Sequence, residues 1–191
     1  VGLVMVYSAT RRFDGGAGVV ARQAVFVAVG VVAMAVVSLV DYRRIADWWP
    51  LIYAGGIVLL LGVLTPLGST VNGTRGWYQF GPVVLQPAEM GKLATIVAVA
   101  SFLGAVDRVD LPRLAAALGL SGAPVILTLM QPDLGSALVF IVAGLGMLVV
   151  AGVKLRHLAV LLLLGVAAVF AILSSDTLDQ YQKDRLLSFA S

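Results

Sequence analysis

The chain contains no cysteine, which excludes disulfide bonds, a thiol nucleophile and a cysteine-based metal site. Its single histidine, His157, stands near Lys154 and Arg156 at the end of an apolar segment, where a charged loop residue is more common than a metal ligand. Charged residues make up 12% of the chain, against roughly 25% in a soluble domain. No run of basic residues with interleaved aromatic residues occurs, so the net charge of +3 does not indicate binding to nucleic acid.

Apolar residues take the place of the missing charge. They form 60% of the 191 residues, and the mean hydropathy is +1.02. A membrane-spanning helix needs about 20 mostly apolar residues. Seven segments approach that pattern, the first of them incomplete: 1–9, 24–40, 51–67, 87–106, 111–130, 132–153 and 157–173. The sequence therefore predicts an all-α polytopic membrane protein, a helical bundle with about seven transmembrane helices.

The segments between the apolar runs are short and polar, and no soluble domain is evident. Residues 10–23 indicate a polar connection, 41–50 a charged loop and 68–86 a longer loop. One set of loops carries six basic residues and the other four, which favours placing loop 68–86 outside the cell. The chain begins without methionine and within an apolar run. We therefore expect residues 1–191 to be part of a single transmembrane domain, truncated at both ends.

One stretch, 72–92, brings polar residues into the apolar pattern. Gln86-Pro87 predicts the start of a helix, because proline at the first helical position loses no needed N–H group. Glu89 and Lys92 follow, three residues apart, so they share one helix face and can pair. A carboxylate and an ammonium inside a membrane span each cost about 2.5–3.5 kcal/mol on insertion scales, so such residues usually face a protein interior or a wet cavity.

A second segment, Gln131-Pro132-Asp133, repeats the pattern of Gln-Pro followed by a carboxylate in the first helical turn. Two spans separate the two helix starts, so both should lie at one membrane face. Helix capping would explain Asp133, since a first-turn carboxylate gains about 0.3–1 kcal/mol from the helix dipole. A structural ion pair would explain Glu89 with Lys92. The alternative is a polar cavity for an anionic, phosphate-bearing ligand, lined by Arg75, Gln86, Glu89, Lys92 and Asp133.

Five pieces of the sequence together resemble the shape, elongation, division and sporulation family of RodA/FtsW/SpoVE-like membrane proteins. In order they are Gly-Leu-Val-Met-Val-Tyr-Ser-Ala at 2–9, Asn-Gly-Thr-Arg-Gly-Trp at 72–77, Gln-Pro-Ala-Glu-Met-Gly-Lys at 86–92, Gln-Pro-Asp-Leu-Gly at 131–135 and Tyr-Gln-Lys-Asp-Arg-Leu-Leu-Ser-Phe at 181–189. The fourth and fifth pieces resemble the rod-elongation branch more than the division branch. Trp77 follows Gly76 where family members usually have arginine, so Arg75 matches that arginine with a shift of one residue.

The resemblance implies a multi-pass bundle of about ten spans in the bacterial plasma membrane. Such a protein polymerises lipid II into peptidoglycan glycan strands together with a class B penicillin-binding protein. The five polar residues would then shape the cavity that holds lipid II. The resemblance implies no fixed cofactor, although a divalent cation would suit the pyrophosphate. The family's proposed catalytic aspartate lies in a large extracytoplasmic loop expected beyond Ser191, so we expect residues 1–191 alone not to polymerise lipid II.

Other functions stay open. The protein could be the division-specific member of the same family. A flippase for lipid II would also use intramembrane glutamate, lysine and aspartate side chains, as a relay or a gated path. A scaffold that only recruits a penicillin-binding protein would need none of them. A loop aspartate beyond Ser191 would favour the enzyme, whereas further intramembrane charges in an inverted repeat would favour transport.

Overall fold

The computed structural model describes residues 16–71, 74–81 and 83–174, together with residues 2, 5, 7 and 8. Within them lie seven helices: α1 Gly16–Ser38, α2 Tyr42–Asp47, α3 Trp49–Leu64, α4 Pro87–Gly104, α5 Leu111–Leu129, α6 Leu134–Val150 and α7 Leu155–Ser174. Between α3 and α4 lie the strands β1 Ser69–Val71, β2 Thr74–Phe80 and β3 Val83–Leu85. Six of these helices coincide with six of the predicted spans. The first predicted span, 1–9, lies outside the described residues apart from isolated positions.

The chain is a polytopic membrane protein built as a helical bundle, as predicted. Two helical segments, Gly18–Ser38 and Leu111–Leu129, have the length and composition to cross a membrane. The apolar helices α3 and α6 have 16 and 17 residues. At 1.5 Å per residue they measure about 24–26 Å, close to the ~30 Å of a bilayer's hydrocarbon core. Residue contacts divide the chain into two compact units, Val1–Trp48 and Trp49–Ser191.

The first unit differs from the sequence prediction at both of its polar segments. α1 begins at Gly16, so Arg22 lies inside the helix rather than in the predicted polar connection. A short helix, α2, replaces the charged loop predicted at 41–50. Asp41 caps this helix, because its carboxylate accepts a hydrogen bond from the backbone N–H of Arg43 at 3.0 Å. Such a cap satisfies one of the donors that every helix start leaves unpaired.

α4 is the central helix of the second unit and contacts α3, α5 and α6. Small residues dominate its buried face, among them Ala88, Gly91, Ala94, Thr95 and Ala98. Small residues let transmembrane helices approach closely. Larger apolar side chains fill the remaining space in two clusters, one around Leu60 and Phe140 and the other around Val99 and Leu148. Three neighbouring helices therefore hold α4, which fixes the position of the side chains at its start.

Arg113 joins the end of α4 to the start of α5. Its Nε and Nη2 atoms donate to the carbonyl oxygen of Phe102 at 3.1 and 2.7 Å, and its guanidinium carbon lies 4.5 Å from the centroid of the Phe102 ring. Asp110 caps α5 by accepting the backbone N–H of Arg113 at 3.0 Å. Trp49 meets the same Phe102 ring edge-on, at a centroid distance of 6.0 Å. These contacts tie α3, α4 and α5 together at one end of the unit.

Replacing Arg113 by methionine is expected to lower the unfolding free energy of the full-length protein in detergent by about 1.5–3 kcal/mol, the usual contribution of hydrogen bonds from a charged group. Arg113→Lys should recover only part of this loss, because an ammonium cannot form the planar two-pronged contact. Arg108→Met is the matched control, since Arg108 is exposed and makes no side-chain hydrogen bond to any described residue. Equal thermal shifts for the two methionine variants would contradict this role of Arg113.

The loop between α3 and α4 folds into a three-stranded antiparallel sheet in the order β1-β2-β3, which the sequence did not predict. The register shifts between β1 and β2. Thr70 pairs with Arg75, whereas Ser69 pairs with Trp77. Gly76 is left without an opposite residue and forms a β-bulge. This bulge falls at the residue that displaces Arg75 from the arginine position implied by the family resemblance.

Tyr78 attaches this sheet to α3. Its hydroxyl donates to the carbonyl oxygen of Leu59 at 3.0 Å. Burial raises the pKa of the Tyr78 hydroxyl above its ordinary value. A Cβ atom at Gly62 would displace the Tyr78 hydroxyl, so the absence of a side chain there permits the close approach. The sheet is thereby held against the last turns of α3.

Candidate functional site

The starts of α4 and α6 lie side by side. Gln86 immediately precedes α4, and its Nε2 atom donates to Oδ2 of Asp133 at 3.3 Å. The two residues are 47 positions apart in the sequence. Their contact brings the two Gln-Pro segments to one end of the bundle, as the count of spans predicts.

Asp133 caps α6 from outside the helix. The prediction that Asp133 lies in the first turn of a helix beginning at Pro132 is wrong, because α6 begins at Leu134. Oδ1 of Asp133 accepts the backbone N–H of Ser136 at 3.0 Å, and Oδ2 accepts the Ser136 hydroxyl at 2.7 Å. An aspartate satisfies the unpaired N–H groups of a helix start from the cap position. Capping therefore accounts for this boundary, and three donors fix the Asp133 carboxylate, two from Ser136 and one from Gln86.

Glu89 lies in the first turn of α4, as predicted, and forms an ion pair with Lys92. Nζ of Lys92 lies 2.6 Å from Oε1 of Glu89. The Lys92 side chain is 18% exposed and the Glu89 side chain 56% exposed, so the pair runs from the packed side of α4 to its open side. A pair three residues apart on a helix surface contributes only about 0.2–0.5 kcal/mol to helix stability. Stability alone is a weak reason for placing these two charges in an otherwise apolar helix.

Arg75 lies in β2, apart from the two polar pairs. Its Nε atom lies 3.4 Å from the carbonyl oxygen of Gly68, a long hydrogen bond. Within the described part of the chain its guanidinium forms no ion pair with Glu89 or Asp133. β2 contacts both α3 and α4, so Arg75 belongs to the same unit as the other polar residues. Of the five residues predicted from the sequence, the structure brings four together in two pairs, and among the described residues Arg75 forms no hydrogen bond or ion pair with them.

The sequence analysis missed Gln131. This residue is fully buried, and its Nε2 atom donates to the carbonyl oxygen of Leu60 at 3.1 Å. Its Oε1 atom has no hydrogen-bond partner among the described residues, although an unpaired buried acceptor costs about 1–3 kcal/mol. The repeated Gln-Pro pair was the available signal. Both glutamines precede a helix, and both use the side-chain amide to reach a different element.

These contacts give this end of the unit the features of a site for an anion. Helix starts carry unpaired N–H groups and a partial positive charge. Lys92 and Arg75 add positive charge, and the carboxylates of Glu89 and Asp133 offset it while they hold the Lys92 ammonium and the Gln86 amide in place. Such a set suits a ligand that carries both phosphate and hydroxyl groups.

No group of three or more histidine, cysteine, aspartate or glutamate side chains is placed to hold a metal ion within the described ranges. Two cavities, of about 350 and 500 Å³, lie at the other end of α4, around the turns that join α4 to α5 and α6 to α7. Their lining mixes both signs of charge, with Arg108, Lys154, Asp107 and Asp110. Neither cavity is lined by any of the five residues that the sequence predicts for the site, so the polar contacts at the starts of α4 and α6 define the candidate site.

Comparison with known proteins gives matches along the whole chain. A family model described as a cell cycle protein, FTSW_RODA_SPOVE, matches residues 1–191. Stage V sporulation protein E of Bacillus subtilis (strain 168) is 33% identical, over 99% of this chain and 53% of that protein. The probable peptidoglycan glycosyltransferase FtsW of Aromatoleum aromaticum is 34% identical, over 99% of this chain and 48% of that protein. The peptidoglycan glycosyltransferase RodA of Treponema pallidum is 36% identical, over 95% of this chain and 43% of that protein. The chain spans about half the length of the curated relatives it matches.

Two solved structures share the fold. One is a chain from a peptidoglycan synthase complex, studied for its structural coordination of polymerization and crosslinking. It matches with a TM-score of 0.75 at 28% identity, over 97% of this chain and 57% of that chain. The other is the rod shape determining protein RodA of Thermus thermophilus. It matches with a TM-score of 0.72 at 28% identity, over 95% of this chain and 62% of that chain. The helical architecture is therefore shared over nearly the whole length of this chain.

Proposed function

The chain belongs to the FtsW/RodA/SpoVE family of cell cycle proteins, and on that premise we propose that the full-length protein is a peptidoglycan glycosyltransferase. Its substrate in this proposal is lipid II, and its product is a glycan strand. Relatives from the FtsW and RodA branches carry that enzyme name. The observation that carries the proposal is the Glu89–Lys92 ion pair, one helical turn from the Gln86–Asp133 hydrogen bond. The ion pair's contribution to helix stability, about 0.2–0.5 kcal/mol, is a weak reason for two charges in this helix.

Each polar residue has a role that follows from its position. Lys92 and Arg75 attract the pyrophosphate of lipid II, whose negative charge also suits the positive end of α4, where Gln86 makes no side-chain cap hydrogen bond. Glu89 orients the Lys92 ammonium, and Asp133 holds the Gln86 amide toward the bound sugar. The acceptor's hydroxyl oxygen attacks the anomeric carbon of the donor, the bond from that carbon to the pyrophosphate breaks, and the pyrophosphate leaves with the electron pair. The hydroxyl proton passes to a general base, a role assigned to no residue of this chain.

We also infer a role in cell elongation, in a bacterial plasma membrane and with a class B penicillin-binding protein as partner. Gln-Pro-Asp-Leu-Gly at 131–135 supports the elongation branch by resemblance. Division is the alternative, because RodA and FtsW relatives match at similar identity. The similarity to a chain of a peptidoglycan synthase complex supports the partner. The apolar helices and the bacterial relatives support the location.

A polymerisation assay tests the proposed enzyme. The full-length protein is purified with its penicillin-binding partner and given fluorescent lipid II, and the products are separated on a gel. We expect a ladder of glycan strands from the complex and none from the partner alone. Absence of a ladder, under conditions in which a known peptidoglycan glycosyltransferase succeeds, would contradict the proposal.

Transport of lipid II across the membrane is the second candidate, because charged residues in a spanning helix also suit a gated path. The same preparation in vesicles tests it, by measuring how much fluorescent lipid II in each leaflet a membrane-impermeant quencher reaches over time. Polymerisation without transport is the expected result. Transport without polymerisation would replace the glycosyltransferase by a flippase.

A further inference from the structure

We propose that the hairpin formed by β2 and β3 contacts lipid, with one apolar face lying in the membrane interface beside α3. The hairpin pairs Tyr78 with Leu85 and Phe80 with Val83. Opposite residues of antiparallel strands share a face, and so do residues two apart along one strand. These four apolar or aromatic side chains therefore form a single face of the hairpin.

Tyr78 fixes the depth of this face. Its hydroxyl donates to the carbonyl oxygen of Leu59, whereas α3 continues to Leu64. Five residues of helix rise about 7.5 Å at 1.5 Å per residue. The Tyr78 hydroxyl thus lies alongside the apolar helix, well before the helix ends. The hairpin consequently packs beside a spanning helix at the depth of its last turns.

The described residues cover only half of this face. Tyr78 and Leu85 are partly buried, whereas Phe80 is 66% exposed and Val83 is 50% exposed. The Phe80 ring extends the aromatic surface beyond Tyr78, at a centroid distance of 6.1 Å. The exposed half is therefore an apolar surface that needs an occupant.

Lipid is the occupant that fits. Residues 76–88 contain no charged side chain, although strand edges that face water are commonly protected from association by charge. Val58 and Leu61 of α3, close in sequence to the Leu59 carbonyl that Tyr78 binds, are exposed apolar residues as well. Tyr78 is of the type that anchors at membrane–water interfaces. A shallow position also leaves the unpaired backbone groups of the hairpin edge within reach of interfacial water, which the hydrocarbon core does not supply.

Nitroxide labels on single cysteines test this contact, and this chain has no cysteine of its own. The full-length protein, with any other cysteine replaced by serine, is reconstituted in phosphatidylcholine–phosphatidylglycerol vesicles and labelled in Phe80→Cys or Val83→Cys variants. Collisions with oxygen, which partitions into acyl chains, should exceed collisions with a water-soluble nickel chelate severalfold at both positions. Gln79→Cys is the matched control, because Gln79 adjoins Phe80 but lies on the opposite face with Val84. The label at position 79 should collide more often with the nickel chelate than with oxygen.

Two results would overturn the proposal. One is that the labels at positions 80 and 83 collide mainly with the nickel chelate, as the label at position 79 does. The other is protection of both positions from oxygen and nickel alike, which would indicate a protein partner such as a second copy of the chain. Leu138→Cys, at an exposed position of α6, provides the reference for acyl-chain contact.

A second variant tests the depth that Tyr78 sets. Tyr78→Phe keeps the ring but removes the hydrogen bond to Leu59, so it should lower the oxygen preference of the label at position 80. An unchanged preference would contradict the anchoring role of the hydroxyl. None of these measurements depends on polymerisation, so failure of the proposed enzymatic function would leave their result unaffected.

Discussion

Replacing Glu89 by glutamine is expected to slow glycan polymerisation by the full-length protein about 10- to 100-fold, with almost no change in thermal stability. In the variant Lys92 loses its hydrogen bond to the pyrophosphate, and a hydrogen bond of a charged group contributes about 1.5–3 kcal/mol. The rate estimate follows because each tenfold change in rate corresponds to roughly 1.4 kcal/mol. The stability estimate follows from exposure. Glu89 is 56% exposed, and such a pair on a helix surface contributes only about 0.2–0.5 kcal/mol. The two expectations separate a residue of the site from a structural ion pair.

The expected loss comes from Lys92. Its side chain is 18% exposed, and its ammonium has Glu89 as its ion-pair partner within the described residues. Glutamine keeps the length of the side chain and an acceptor oxygen, but it removes the negative charge that holds the ammonium. Lys92 is then free to turn away from the position in which it meets the pyrophosphate. Gel quantification of glycan strands over time, with melting curves of the same preparations, measures both effects.

Two further variants make the result decisive. Met90→Gln places the same amide at the next position of α4, which is 44% exposed, and it should leave polymerisation unchanged. The exchange of Glu89→Lys with Lys92→Glu keeps the attraction between the two side chains but moves the positive charge by one helical turn. Polymerisation should stay low in the exchanged variant. Full activity there would reduce Glu89 and Lys92 to a structural pair.

The sequence predicted those parts of the molecule that depend on local properties. A span is a property of about 20 consecutive residues, so hydropathy located the six long helices of the described ranges. The pairing of Glu89 with Lys92 follows from helix geometry, because residues three apart are neighbours. The number of spans placed the two Gln-Pro helix starts at one membrane face, although it did not predict the hydrogen bond between Gln86 and Asp133. These features needed no knowledge of distant contacts.

The sequence did not predict features that depend on distant contacts. β1 and β3 have only three residues each, and their sheet is docked by Tyr78 on α3. Gln131 belongs to a polar segment, yet it is buried because Leu60, 71 residues away, offers it a carbonyl oxygen. The boundary at Asp133 is a different case. An aspartate before an apolar run is itself a signal for a helix cap. The prediction nevertheless began the helix at Pro132, because the preceding Gln-Pro pair also indicates a helix start.

The packing of α4 leads to the second large effect. Adding one methyl group at Gly56 is expected to destabilise the full-length protein by about 1–3 kcal/mol, the usual cost of overpacking a filled core. A Cβ atom there would lie 2.7 Å from the Cβ of Ala94 and 3.6 Å from the Cα of Gly91. Neither atom can rotate away, because both are fixed to the backbone of α4. α3 and α4 would have to separate.

The adjacent glycine supplies the matched control. A Cβ atom at Gly55 would have no heavy atom within 4 Å. Alanine is the better helix former by about 0.8–1.0 kcal/mol, so Gly55→Ala should be neutral or stabilising. Thermal unfolding of the two alanine variants in the same detergent therefore compares one methyl group in open space with one in a closed contact.

Removing the methyl group of Ala94 tests whether its contact with the new methyl group at position 56 causes the loss of stability. In the double variant Gly56→Ala with Ala94→Gly, α3 gains the methyl group that α4 loses, so the composition of the two helices is conserved. Stability should return toward that of the native protein. Glu89 and Lys92 lie on the same helix, five and two residues before Ala94, so polymerisation should fall in the single variant and recover in the double one. Gly56→Ala as stable as Gly55→Ala would show that α3 and α4 do not approach so closely. Stability recovered without polymerisation would show that this contact does not position the charged pair.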